Sequence, residues 1–130
     1  MSDVGERAGS IPVVQLELPA QPPFHAVGRL VVGGVASRLD FEVADIEDLQ
    51  LALEVVLCRP PARSTVTVTL TASRDELHAR LGPFAVNGDR ERLEGTLRCL
   101  VQDAVVQDSG EGEWVVMRTA RERAPVRGSS

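Results

Sequence analysis

The sequence predicts an α+β fold, a two-layer sandwich in which a mixed, mostly antiparallel sheet is covered on one face by three helices. Three observations carry this expectation. Runs of strict two-residue alternation mark strands with one apolar and one polar face, as in an antiparallel sheet open to water on one side. Three other runs place apolar residues at helical spacing, so each helix has a stripe to bury. The elements follow the order strand, helix, helix, strand, strand, helix, strand, strand, which suits helices laid on one side of a sheet.

The first strand spans Val13 to Leu18, with Val14, Leu16 and Leu18 on one face and Gln15 and Glu17 on the other. Pro19, Pro22 and Pro23 end it. From Phe24 the period lengthens, and Val27, Leu30, Val31, Val35 and Leu39 form a helical stripe. Gly33 and Gly34 interrupt it, each costing about 1 kcal/mol against Ala, and the pair reads as a close-packing point. Asp45 is the expected N-cap of a second helix, with acids crowding its first turn. Its stripe is Ile46, Leu49, Leu53, Val56 and Leu57, and Pro60 and Pro61 stop it.

Val66, Val68 and Leu70 alternate with four threonines, and Leu77, Ala79 and Leu81 repeat the pattern after a turn. The two runs read as a hairpin. Gly82, Pro83, Asn87 and Gly88 mark a loop. Asp89 is the expected cap of a third helix, with a stripe of Leu93, Leu97, Leu100, Val101 and Ala104. Val105 and Val106 begin a short strand, residues 108–112 turn the chain, and Trp114 to Thr119 close the sheet. Residues 1–10 read as a disordered leader, 11–120 as one domain, and 121–130 as a disordered tail.

Composition bounds the function. At 130 residues the chain is one domain long. Aromatics make up only 3%, so the core rests on Val, Leu, Ile and Ala. The net charge of −5 repels phosphate backbones and anionic lipid, so neither nucleic acid nor a membrane surface is an expected partner. Every basic residue is Arg, which removes Schiff-base chemistry and a phosphate-loop lysine. Cys58 and Cys99 are too few and too far apart for a disulfide framework or a zinc site, and both read as small core residues. His25 and His78 are not brought near either thiol by spacing, and His78 falls on an outward strand position. No targeting segment is visible, and a cytoplasmic setting is expected.

The segment "RLVVGGVASRLDFEVADIEDLQLALEVVL", with its acidic helix "DIEDLQLALE", resembles the anti-sigma-factor and serine-protein-kinase family of the GHKL, or histidine-kinase-like, ATPases. The resemblance runs from about Val13 to Arg118 and implies that fold. In such proteins one helix supplies a Glu and, four residues later, an Asn that holds Mg²⁺. The Glu matches Glu54. The Asn position falls on Cys58, and a thiol is a poor ligand for Mg²⁺, which demands hard oxygen donors. Glu54 is therefore either a relic of the family's catalytic base or a solvated residue at a helix end.

The family's glycine-containing nucleotide turn corresponds to "HARLGPFAVNGDRE", where Gly82 survives and the adenine-reading Asp is replaced near Arg80 or Leu81. Its second glycine motif, which opens a helix and cradles phosphate, falls on "LEGTLRCLV". There Gly95 and Thr96 match in part, and Gly95 is either a remnant phosphate contact or a packing point. Cys58, Gly82, Gly95 and Thr96 thus mark a vestigial ATP site, and no metal-ligand set is expected. No cofactor is expected either, with ATP and Mg²⁺ required only if the family activity persists.

The resemblance implies a regulatory domain that sequesters a sigma factor or binds an anti-anti-sigma protein, with weak or no use of ATP. Its surface would be the helix from Phe24 to Leu39 and the outward face of the last helix. Two alternatives stay open: an active serine kinase acting on an anti-anti-sigma protein, and a homodimeric scaffold.

Overall fold

The computed structural model describes residues 11–121; the leader expected over 1–10 and the tail beyond Arg121 lie outside the described residues. The chain forms β1 (Ile11–Pro19), a 3₁₀ turn (Pro22–Phe24), α1 (His25–Arg38), α2 (Val43–Leu57), β2 (Thr65–Ala72), β3 (Glu76–Phe84), α3 (Arg90–Arg98), β4 (Asp103–Ser109) and β5 (Gly112–Ala120). The five strands make one sheet in the order β1-β2-β3-β5-β4, and each neighbouring pair is antiparallel. The α+β sandwich expected from the alternation is the architecture found.

Register follows from which side of each strand is apolar. Leu16 pairs with Val68 and Leu18 with Val66, Val68 with Leu81, and Leu81 with Val115, so one apolar row crosses four strands. That row, with Leu70, Ala79, Met117, Ala104 and Val106, packs in a single core with Leu49, Leu53 and Val56 of α2. The threonines of β2 face the other side.

Several local expectations shift. The buried face of α1 is Gly28, Val32 and Ala36, whereas Leu30 of the expected stripe is 74% exposed. The reason is steric. A side chain at 28 would meet Leu18, Leu53 and Leu57 at 3.2–3.5 Å, so α1 docks on α2 through small residues that a hydrophobicity pattern does not mark. Gly33 is a close-packing point, where a side chain would collide with the amide end of Gln50, but Gly34 faces open space.

α2 begins at Val43 with Glu42 as N-cap and no side-chain cap bond, which puts Asp45 inside the first turn, where its charge complements the helix dipole. β3 continues through Phe84, so Gly82 and Pro83 belong to the strand and not to a loop. α3 ends at Arg98 and Ala104 is a strand residue; positions 97, 101 and 104 fit a helix, while 104 and 106 fit a strand equally well.

Both cysteines are exposed rather than in the core. Arg121 is tied down, its Nη1 donating to the Leu39 carbonyl and its Nη2 to Asp75.

Candidate functional site

The last turn of α2, which the chain leaves before prolines 60 and 61, borders two cavities. One cavity, of 290 Å³, lies between α2 and α3 and is lined by Val55, Cys58, Arg59, Asn87, Asp89 and Thr96, among others. The other, of 340 Å³, lies between α2, the start of α1 and β1, and is lined by His25, Glu54, Leu57, Cys58, Arg59 and Pro22, among others.

Arg59 dominates the first cavity. It is 5% exposed, and its Nη2 donates to Asn87 Oδ1 at 3.1 Å, Asp89 Oδ1 at 2.7 Å and Glu113 Oε1 at 2.8 Å. The guanidinium also stands 5.7 Å from the centre of the Phe84 ring. Its Nε and Nη1 are buried without a hydrogen-bond partner among the described residues, a cost of about 1–3 kcal/mol that the two carboxylates offset. Asp89 does occupy the N-cap of α3, but makes no side-chain cap bond; its carboxylate serves Arg59.

Residues four apart on a helix share a face, and Val55 with Arg59, just past the helix end, lines the α2–α3 cavity beside Cys58. Glu54 is one position off that face. It points into the other cavity, where its Oε1 accepts Arg29 Nη1 at 2.6 Å and its Oε2 lies 3.2 Å from His25 Nδ1 and 3.5 Å from Cys58 Sγ. Burial acts to raise the Glu54 carboxyl, but the hydrogen bonds from His25, Arg29 and Cys58 outweigh it and hold the group below its ordinary value. Burial and the neighbouring carboxylate push the Cys58 thiol up, so it is not an activated nucleophile in this setting.

The other expected residues separate. Cys58 and Thr96 both line the α2–α3 cavity. Gly82 lies on the outer face of β3, where a side chain would run into the Trp114 indole at 2.6 Å, and Arg80 stacks over that indole with its guanidinium carbon 4.0 Å from the ring centre. Gly82 is thus a seat for Trp114.

Gly95 is in the middle of α3, with open space around it, so the packing alternative fails. The free N–H groups of a helix lie in its first turn, here at residues 90–92, and not at Gly95 or Thr96. Arg59 and His25 are the residues the sequence reading missed. Nothing in the spacing announces His25, 29 positions from Glu54. For Arg59 the signal was a charged residue directly before the prolines that close an otherwise apolar helix.

The residues of the α2–α3 cavity do not fit a magnesium–nucleotide complex. A guanidinium is already paired with the two carboxylates, and the helical partner one turn back is the apolar Val55. A divalent cation would have to displace Arg59 from both acids.

The chain is similar to proteins named serine-protein kinase RsbW. That of Listeria monocytogenes serovar 1/2a is 29% identical over an alignment covering 80% of this chain and 84% of the relative; that of Listeria monocytogenes serotype 4a is 27% identical with the same coverage. The Bacillus subtilis protein is 40% identical over a shorter stretch, 31% of this chain and 25% of its own length. No protein-family model matches the chain. Among solved structures, that of the RsbU and RsbW domains of Rv1364c from Mycobacterium tuberculosis superposes with a TM-score of 0.65 at 15% identity, covering 87% of this chain and 34% of the other. The resemblance read from the hydrophobic pattern and the acidic helix therefore holds, in sequence to the RsbW serine-protein kinases and in fold to the mycobacterial structure. No helix among the described residues is long and apolar enough to cross a membrane.

Proposed function

We propose that this chain is a regulatory protein-binding domain of the anti-sigma-factor type, which engages a sigma factor or an anti-anti-sigma protein and makes weak or no use of ATP. The observation that carries the reading is Arg59. A cation fixed to the protein lies between Asp89 and Glu113, in the cavity where the resemblance would put a metal-bound nucleotide. Binding a protein needs only a surface: Phe24 at the N-cap of α1, and Val27 and Leu30 on it, expose apolar side chains to solvent at three-residue spacing.

Two measurements test the two halves. Titration calorimetry of the full chain with Mg²⁺ and ATP is expected to show no saturable heat; magnesium-dependent binding would overturn the nucleotide half and favour the kinase reading. Co-purification against the sigma factors and anti-anti-sigma proteins of the source cell is expected to capture one of them. Capture of none overturns the binding half.

A further inference from the structure

At the end of α2, on the cavity it shares with the start of α1, three side chains of different chemistry converge. His25 Nδ1, Glu54 Oε2 and Cys58 Sγ lie within 4.8 Å of one another. The two shorter edges are 3.2 Å from nitrogen to oxygen and 3.5 Å from sulfur to oxygen. A tetrahedral zinc ion, with bonds of about 2.0–2.1 Å to nitrogen and oxygen and about 2.3 Å to sulfur, separates its ligands by about 3.3 Å and about 3.5 Å along the same edges. We propose that His25, Glu54 and Cys58 form a three-ligand site for a borderline-soft divalent cation, zinc in the first place, with a fourth position open to the 340 Å³ cavity that the same three residues line.

The backbone supports the arrangement. Glu54 and Cys58 are four apart at the end of α2, so their side chains rise from one face. His25 is the first residue of α1, and Gly28 lets α1 approach Leu53 and Leu57 closely enough to bring the imidazole over that face. Arg29 holds the other carboxylate oxygen, which leaves Oε2 turned toward the histidine and the thiol, the supporting role that outer partners play around metal ligands.

The three ligands, a neutral imidazole, a carboxylate and a thiolate, carry two negative charges; with the Arg29 guanidinium on the other carboxylate oxygen the loaded site carries one net positive charge. On binding, the sulfur–metal bond forms as the Cys58 thiol gives its proton to water. Thiolate with imidazole selects zinc or a similar ion over magnesium, which takes hard oxygen donors. The open fourth position suits water or a donor atom of a ligand entering the cavity.

The test uses cobalt(II) alone as an optical stand-in for zinc, added to the full chain under reducing conditions. The unaltered protein is expected to show thiolate-to-cobalt charge-transfer absorption at one equivalent, bleached by one equivalent of zinc. Cys58→Ser removes the band, with its far-ultraviolet circular dichroism unchanged, while Cys99→Ser retains it. Glu54→Gln and His25→Ala each weaken cobalt binding at least ~10-fold, the lower end of what even an outer partner contributes. No band at stoichiometric cobalt, or a band that survives Cys58→Ser, overturns the site.

Discussion

Arg59 and Glu113, 54 positions apart in the chain, close an ion pair of 2.8 Å in which both side chains are more than nine-tenths buried. Removing one partner of such a pair strands a charge in a poorly solvated place. Arg59→Ala is therefore expected to cost about 3–5 kcal/mol. Arg90, 3.7 Å from the second oxygen of Glu113, pulls the value toward the lower end. Arg59→Met combined with Glu113→Leu removes both charges together and is expected to cost less than the sum of the two single changes. A urea-unfolding double-mutant cycle measures this; additive losses would mean that the two groups do not interact.

Gly82 separates a nucleotide role from a structural one. Its outward face carries the Trp114 indole, with ring atoms 2.6–2.9 Å from where a side chain would begin. Gly82→Val must push the ring off β3 and is expected to destabilise the fold by about 1–3 kcal/mol, the usual cost of overpacking. Trp114 is the one tryptophan in the chain, so its emission reports the displacement directly. An unchanged spectrum and midpoint would contradict the packing role.

The sheet was readable because alternation in Val66–Leu70 and Leu77–Leu81 leaves one solution for which face is buried. Helix α1 was legible as a helix but not in its orientation. Its contact runs through Gly28 and Ala36, which contribute close approach and little hydrophobicity, while Leu30 attracts the eye and points outward. The site failed for a related reason. One residue of phase on α2 sends Glu54 to one cavity and Val55 to the other, while Cys58 and Arg59 line both, so a spacing motif that fixes Glu54 to Cys58 fits as well as one that fixes Val55 to Arg59. Only the packing of α2 between α1 and α3 selects the phase. His25 was invisible because nothing local ties residue 25 to residues 54 and 58; α1 and α2 do so by docking.

Acid is expected to loosen the end of the sheet at Glu76. The hydrogen bond from His78, 3.1 Å away, is the main influence lowering this carboxyl below its ordinary 4.5; burial opposes it, and Arg118 adds to the lowering. A carboxyl depressed in the folded state stabilises the fold above its unfolded pKa, and the contribution is lost as the pH falls through the folded value. The stability of the unaltered chain should therefore decline from about pH 4.5 downward, and Glu76→Gln should flatten part of that decline while leaving neutral-pH stability only slightly lower. Thermal midpoints across that range check it, and parallel curves for the two proteins would remove Glu76 from the account.

Leu30 tests the binding half of the proposed function. It is 74% exposed on the side of α1 opposite Gly28, Val32 and Ala36, so it contributes little to the core. Leu30→Asp replaces an exposed apolar group on a helix, a change within about 0.5–1 kcal/mol of neutral on helix propensity alone. If Phe24 at the N-cap of α1 and Val27 and Leu30 on it face a partner, a carboxylate at the end of that row must be desolvated without a counter-charge, and affinity should fall at least ~10-fold, the equivalent of about 1.4 kcal/mol. Ser37→Asp, on an exposed residue two turns further along the same helix, serves as the control for general charge effects. The expected result is a thermal midpoint nearly unchanged in both variants, with capture of the partner lost only in Leu30→Asp. Equal capture by the two variants would move the contact away from α1, toward the outward face of α3.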